Sequence, residues 1–259
     1  MRKTVTLGDT DLTRIGLGTN RLTDSPENRS FLEAAVAEGA NFIDTAHLYS
    51  GGESERTIGA ALAPFADDLV VATKGGYRAG GGVDGLRAEL EESFERLRTE
   101  TIRLYYQHRV HPDLEVEDAM ELLGEHREAR RIDHIGLSDV TVEQIQRARE
   151  VVPIAAVQNE YSLIERRYDE VVDFCAEEGI LFVPYFPLRG GDPPAVAEIA
   201  ASRGATPSQV RLAWLLRRSP TILPIPGTLS LEHLREDLAA LEIELTDEEF
   251  STAVRIAPR

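Results

Sequence analysis

Short, mostly apolar runs alternate with amphipathic stretches along the whole of this 259-residue chain. Runs of this kind, bounded by turn formers, mark strands buried on both faces. They fall at residues 15–18, 41–44, 69–73, 102–107, 134–138, 154–158, 180–185 and 221–225. Between them apolar residues recur at helical spacing. That spacing predicts helices over residues 27–38, 54–63, 85–98, 115–130, 142–150, 167–178, 195–203, 207–217 and 231–240, with TDEEF opening another short one. Thr206 followed by Pro207 is a cap with proline at the first helical position. Ahead of the first buried strand, VTLGDT and DLTRIGLG read as a small hairpin across a Gly-Asp turn.

Strict strand–helix alternation implies a parallel sheet with both faces covered. Eight such units in about 250 residues favour closure, so the expected fold is α/β, a (β/α)8 TIM barrel with an N-terminal β-hairpin, residues 1–259 forming one domain. An open doubly wound sheet would carry a glycine fingerprint after its first strand. Here that turn reads GLGTNRLT and lacks the third glycine.

Composition narrows the setting. The formal net charge is −17, and of 28 basic residues only Lys3 and Lys74 are lysines. Such a surface repels nucleic acid and anionic lipid, so neither is an expected partner. Acid-rich, lysine-poor chains suit high ionic strength, where screening relieves self-repulsion, and a halophilic source is expected; a GC-rich genome also favours arginine over lysine. The single cysteine, Cys175, cannot close an internal disulfide, and MRKTVTLGDT has no apolar signal region behind its charges. No apolar run approaches a membrane span. A cytoplasmic protein is expected.

In this fold, active sites lie at the carboxyl ends of the strands. Those ends read Asp44, Lys74, His108, Ser138–Asp139, Gln158–Asn159, Tyr185 and Pro226-Gly227-Thr228. Any one of them is explained as a turn residue; successive polar ends converging on one mouth are not. Against this background FIDTAHLYSGGESERTIG, VVATKGG, LYYQHRVHPD, HIGLSDV, VQNEYSLIERR, PYFPLRGG and LPIPGTLSLEHLRED resemble, in order, the signatures of the aldo-keto reductase family.

The resemblance implies an NAD(P)(H)-dependent reduction of an aldehyde or ketone, with Asp44, Tyr49, Lys74 and His108 as catalytic residues. Tyr49 would be the proton donor. A phenol with a pKa near 10 needs tuning, and a neighbouring Lys74 ammonium, oriented by Asp44, is expected to lower it. His108, rather than the nearby His111, would orient the carbonyl. For the cofactor the resemblance implies Gly18, Thr19 and Asp44 below the nicotinamide. Ser138, Asp139 and Gln158 would hold its carboxamide and Tyr185 its ring. Asp139 stands where the family usually has Asn, and an ionised Asp cannot donate. Asn159 is a possible contact or plain turn chemistry. Phe186, Pro187 and Leu188 would line the pyrophosphate region, with Arg189 either a phosphate ligand or a rim charge.

Pro226, Gly227, Thr228, Leu229, Ser230, His233, Glu236 and Asp237 correspond to the adenosine end. Cations found there in NADPH-specific relatives are replaced by Gly227 and His233, and Asp237 replaces an Asn. NADP(H) is expected to be preferred, with NAD(H) possible. Substrate contacts are expected from Asn20, Leu48, Tyr49, His108 and Arg109, with the 20–24, 75–85 and 109–112 stretches and Tyr161 as further specificity candidates. The short stretch after the last helix predicts an open pocket. The expected partner is a small-molecule carbonyl compound, and the protein a monomer or weak oligomer. The alternatives are a cofactor-binding regulatory subunit of the same fold with little turnover, and a metal-assisted barrel hydrolase. The second lacks any metal-ligand spacing in the sequence.

Overall fold

The computed structural model describes residues 2–78 and 80–255. Strands β1 (Thr4–Leu7) and β2 (Thr10–Thr13) form the expected hairpin, Leu7 opposite Thr10. Seven parallel strands follow in chain order: β3 (Leu17–Gly18), β4 (Phe42–Asp44), β5 (Val70–Gly75), β6 (Ile102–Gln107), β7 (Ile132–Ser138), β8 (Ala156–Gln158) and β9 (Leu181–Phe182). Helices α1 (Pro26–Ala37), α2 (Glu53–Leu62), α3 (Gly82–Leu97), α4 (Val116–Glu128), α5 (Val142–Val151) and α6 (Asp169–Glu178) fill the crossovers. Two helices, α7 (Pro194–Arg203) and α8 (Pro207–Arg218), separate β9 from the last barrel segment, and α9 (Leu231–Ala239) and α10 (Asp247–Arg255) follow it.

The expected eighth strand at residues 221–225 is present as a half-bonded segment. Leu223 N–H donates to the Phe182 carbonyl at 2.9 Å and Ile225 N–H to the Pro184 carbonyl at 3.3 Å. On the other side Gly16 and Gly18 donate to the carbonyls of Pro224 and Pro226 at 2.9 and 3.0 Å, closing the barrel. The two prolines have no N–H to return, so only one direction of that ladder forms. Pro184 likewise cuts the regular part of the seventh strand to two residues, although bonds to β8 continue to Tyr185, whose N–H donates to the Asn159 carbonyl at 3.1 Å.

The two-residue period of a strand decides which side chains enter the lumen. Phe42, Val70, Ala72, Leu104, Tyr106 and Ala156 form the inner core, joined by Leu7 and Leu12 of the hairpin. Ile43, Val71, Tyr105, Ile135 and Val157, one residue out of phase, pack outward against the helices. Extending the inner phase by one step places Asp44 after Phe42, Lys74 after Ala72, His108 after Tyr106, Ser138 after Gly136 and Gln158 after Ala156. Register then brings the ends level: Asp44 is opposite Ala72, Lys74 opposite Tyr106, and Ser138 opposite Gln158. At the opposite end Arg14 is buried, giving hydrogen bonds to the carbonyls of Ile222, Leu216 and Ser219 at 3.1, 2.8 and 2.6 Å. Burial pulls its pKa down to about 10.

Candidate active site

A cavity of about 300 Å³ opens at the carboxyl ends of the strands. Its walls include Gly18, Thr19, Asn20, Asp44, Tyr49, His108, Arg109, Ser138, Asp139, Gln158, Tyr185, Phe186, Pro187 and Gly227, all named from sequence. At its floor the Lys74 ammonium donates to both oxygens of Asp44 at 2.7 Å and to the Thr45 carbonyl at 2.8 Å. The pair is 1% exposed at each residue. Gln158 Nε2 donates to Asp44 Oδ2 at 2.8 Å, so Asp44 is satisfied from two strands. Beneath it Thr19 Oγ1 donates to the Asp44 carbonyl at 2.7 Å and bonds the Ser54 hydroxyl at 2.8 Å.

Tyr49 rides on a short 3-10 turn, Tyr49–Gly52, directly after the β4 end. Lys74 Nζ lies 5.0 Å from its ring centroid, and the His108 ring stands edge-on to it at 6.1 Å. Burial, then the Asp44 charge, pushes the Tyr49 hydroxyl well above its ordinary value. The expected lowering by Lys74 is therefore not what the surroundings produce: the ammonium is committed to Asp44 at 2.7 Å, and desolvation of the phenolate dominates. Tyr49 is held as a neutral O–H donor. Burial, opposed by Asp44, also lowers the Lys74 pKa.

Burial and the nearby Lys74 and Arg109 hold His108 well below the ordinary histidine value, as a neutral ring. Its Nδ1 is buried without a hydrogen-bond partner among the described residues. His111 lies elsewhere, its Nε2 on the Tyr77 carbonyl at 2.6 Å. Tyr77 stacks edge-on against His108 at 4.8 Å and carries the Arg109 guanidinium over its face, also at 4.8 Å. It lies within the glycine-rich stretch flagged from sequence, of which Ala79 is outside the described residues.

Several other candidates make their contacts within the protein. Asp139, at φ +55, accepts from the Tyr185 hydroxyl at 2.7 Å and pairs with Arg109 at 3.3 Å, so its carboxylate is engaged within the protein. Asn159 is turn chemistry: fully buried, it bonds the Val140 N–H and carbonyl at 3.1 and 2.8 Å. Tyr161 is a core residue rather than a substrate contact, stacked on Trp214 with its hydroxyl on Asp169, because the odd strand phase turns it outward. Leu48 precedes the Tyr49 turn and is not among the cavity-lining residues. Arg189 pairs with Glu160 and stacks on Phe186.

From the mouth a groove of about 660 Å³ runs past Phe186, Pro187, Leu188 and Pro226 to Thr228, His233, Glu236 and Asp237. A smaller recess adds Leu229 and Ser230, the latter capping α9 through His233 N–H at 3.4 Å. Arg21 lines the mouth, the groove and the recess alike, and no ion-pair partner for it is found among the described residues. Asp237 is 6% exposed without a side-chain partner, and burial next to Glu236 pushes its pKa up to about 7. Arg21 was flagged only as part of the 20–24 specificity stretch and not for the cofactor, and Ser208 was not singled out. Both are surface polar residues by pattern, and only folding brings them to one groove.

The sequence profile of the aldo/keto reductase family matches residues 14–257. This chain is an aldo/keto reductase family member. Pyridoxine 4-dehydrogenase of Escherichia coli (strain K12) is 38% identical over 275 aligned residues, covering 96% of each chain. A thermostable aldo-keto reductase solved with the inhibitor epalrestat superposes with a TM-score of 0.90 at 31% identity, covering 98% of this chain and 99% of the other. An aldo-keto reductase from Klebsiella pneumoniae solved with NADPH gives 0.89 at 28%, covering 100% and 96%. The barrel with its N-terminal hairpin is thus the family architecture, and oxidoreduction is the family's chemistry. Among the described residues of this reductase-family chain, no helix is long and apolar enough to cross a membrane. No group of three or more His, Cys, Asp or Glu among them converges to hold a metal ion.

Proposed function

We propose that this protein reduces an aldehyde or ketone to an alcohol, with Tyr49 as proton donor and NAD(P)H as hydride source. The observation that carries the reading is the meeting of Tyr49, His108 and the buried Asp44–Lys74 pair at one mouth. The groove fits a dinucleotide: it continues from the mouth, is lined with hydroxyls at its far end, and holds Arg21, without an ion-pair partner among the described residues, in a chain of net charge −17. Ser138 and Gln158 would hold the nicotinamide carboxamide. Arg21, Thr228 and Ser230 would hold phosphate, the last at a helix start. When bound, the cofactor supplies a hydride to the carbonyl carbon.

The carbonyl π pair then moves onto oxygen, and the Tyr49 O–H gives that oxygen its proton. Lys74, 5.0 Å from the ring, offsets the phenolate charge left behind. His108, as a neutral ring with Nδ1 enclosed, would direct its Nε2–H to the same oxygen and orient the carbonyl. Arg109, beside Tyr77 at the cavity wall, would border the substrate. NADP(H) is the preferred dinucleotide in this reading, with NAD(H) accepted. The reading also includes a cytoplasmic setting and a protein that works as a monomer or weak oligomer without nucleic acid or membrane.

The test is titration of intrinsic fluorescence with NADPH and NADH in molar salt, followed by turnover on a panel of aldehydes and ketones. Pyridoxine, named in the Escherichia coli relative, is the first alcohol to try in the oxidising direction. Tyr49→Phe should keep cofactor affinity and lose at least about a hundredfold in kcat, the lower end of general acid catalysis. Retained turnover in that variant would move the proton donor elsewhere. Binding without turnover in the wild type would favour a regulatory subunit.

A further inference from the structure

We propose that Arg96 is a positioning residue: from helix α3 it holds the loop that carries Tyr49. The inference rests on the role assigned to Tyr49 above. Arg96 Nη1 donates to the His47 carbonyl at 3.0 Å, two residues before the tyrosine. The His47 N–H in turn donates to the Lys74 carbonyl at 3.0 Å. On the far side of the turn, a Cβ placed on Gly52 would come within 2.6 Å of the same guanidinium. One side chain therefore touches the loop both before and after Tyr49.

That loop needs holding. Ser50, Gly51 and Gly52 take φ values of 49, 64 and 87°, three left-handed residues in succession. Ser50 is not glycine, and a strained backbone of this kind persists only where its surroundings over-determine it. The turn has no side-chain cap of its own. Arg56 of the following helix donates to the Gly51 carbonyl at 3.1 Å, and Arg96 adds a constraint from the neighbouring helix on both sides of Tyr49.

The guanidinium also reaches back towards Lys74. It faces the Glu55 carboxylate of α2 at 3.4 Å and pairs with Glu92 one turn earlier on α3. Glu55 is fully buried, and its other oxygen accepts from the Thr73 hydroxyl at 2.6 Å, next in chain to Lys74. The line Arg96–Glu55–Thr73 thus ties the tyrosine loop to the strand that carries the lysine. Lys74 Nζ and the Tyr49 ring, 5.0 Å apart, stand at the two ends of this line. The side chain of Arg96 is 17% exposed, so this is not a solvated surface pair of little consequence. Close approach of the two helices is allowed by Gly59, where a Cβ would meet the Arg96 carbonyl oxygen at 2.3 Å.

The experiment compares Arg96→Met, Arg96→Lys and Leu90→Ala in the full chain. Leu90 is a buried core residue of the same helix that makes no polar contact with the loop. Arg96→Met should lower kcat about tenfold to a hundredfold, the scale of a misplacement near 1 Å. The NADPH dissociation constant and the KM of the carbonyl substrate should move little. Arg96→Lys, which keeps a donor and a positive charge, should recover most of kcat. Should Arg96→Met fail to fold, Arg96→Gln carries the test, since it removes the positive charge and the forked reach to the His47 carbonyl while staying polar, and it should produce the same split between kcat and binding. The proposal is overturned if kcat survives in Arg96→Met, or if Leu90→Ala costs as much kcat at an equal fall in melting temperature. Loss of turnover in Tyr49→Phe with full turnover in Arg96→Met would sink this inference alone, whereas turnover in Tyr49→Phe would sink the reading beneath it.

Discussion

At the barrel mouth Asp44 accepts three side-chain hydrogen bonds and Lys74 gives three, whereas Asp237 at the far end of the groove and Arg21, which lines mouth and groove alike, have no side-chain partner among the described residues. The mouth is built on strand ends whose facing is set by the pleat, and its charges compensate each other inside the protein. The groove is built on loops and on α9, where Glu236 accepts from the Thr206 hydroxyl at 2.6 Å while Asp237 and Arg21 line the groove without a side-chain partner among the described residues. The contrast teaches where a substitution should be felt. At the mouth a change breaks a buried pair and so costs stability along with rate. Along the groove, a change at Arg21 should alter which ligand is held and leave the fold alone.

The largest effect is expected for Lys74→Met. Removing one partner leaves the Asp44 carboxylate buried and unpaired, which costs about 3–5 kcal/mol. For a chain of this size that is a fall in melting temperature on the order of 10 °C, alongside loss of turnover. Calorimetry reads it, and an unchanged midpoint would mean that the pair is not what holds the mouth.

A smaller and differently placed effect is expected for Arg21→Gln. NADPH affinity should weaken about tenfold, roughly 1.4 kcal/mol, while the melting temperature of the free protein stays put. If affinity and melting temperature fell together, the distinction between the two ends would be lost.

A pH-dependent effect concerns Asp237. Burial raises its folded pKa to about 7, above the value near 4 of an unfolded chain. A group raised in this way contributes stability that is present below the unfolded value and is lost as pH rises through the folded one. Asp237→Asn removes that loss, so the melting temperature of the variant relative to the wild type should rise steadily from pH 4 to pH 8. Equal differences at both pH values would contradict a carboxyl held neutral by burial.

Much of this was legible in the residues themselves. The alternation of strand and helix patterns named the barrel, and the motif order named the strand ends that converge. Glu55 was not singled out, although it lies three and four residues before the buried Ile58 and Gly59 on the same helix. Other features were hidden. Tyr161 and Asn159 follow the same strand as Gln158, yet one packs against Trp214 and the other braces Val140. Pro224 and Pro226 weaken a strand whose apolar residues still sit where a strand would put them. Arg96 lies beside, not on, the apolar stripe of Leu86, Leu90, Phe94 and Leu97, and nothing in its own helix marks it.

The sequence by itself determined the layers of this protein and the inward phase of Asp44, Lys74, His108, Ser138 and Gln158, because hydrophobic periodicity and the two-residue pleat are local properties. Only the tertiary structure decided how those groups are charged and held. The Tyr49 hydroxyl is raised rather than lowered because desolvation and the Asp44–Lys74 contact depend on everything packed around them. Arg96 meets the tyrosine loop, and Arg21 the phosphate groove, across contacts between elements far apart in the chain, which no local pattern encodes.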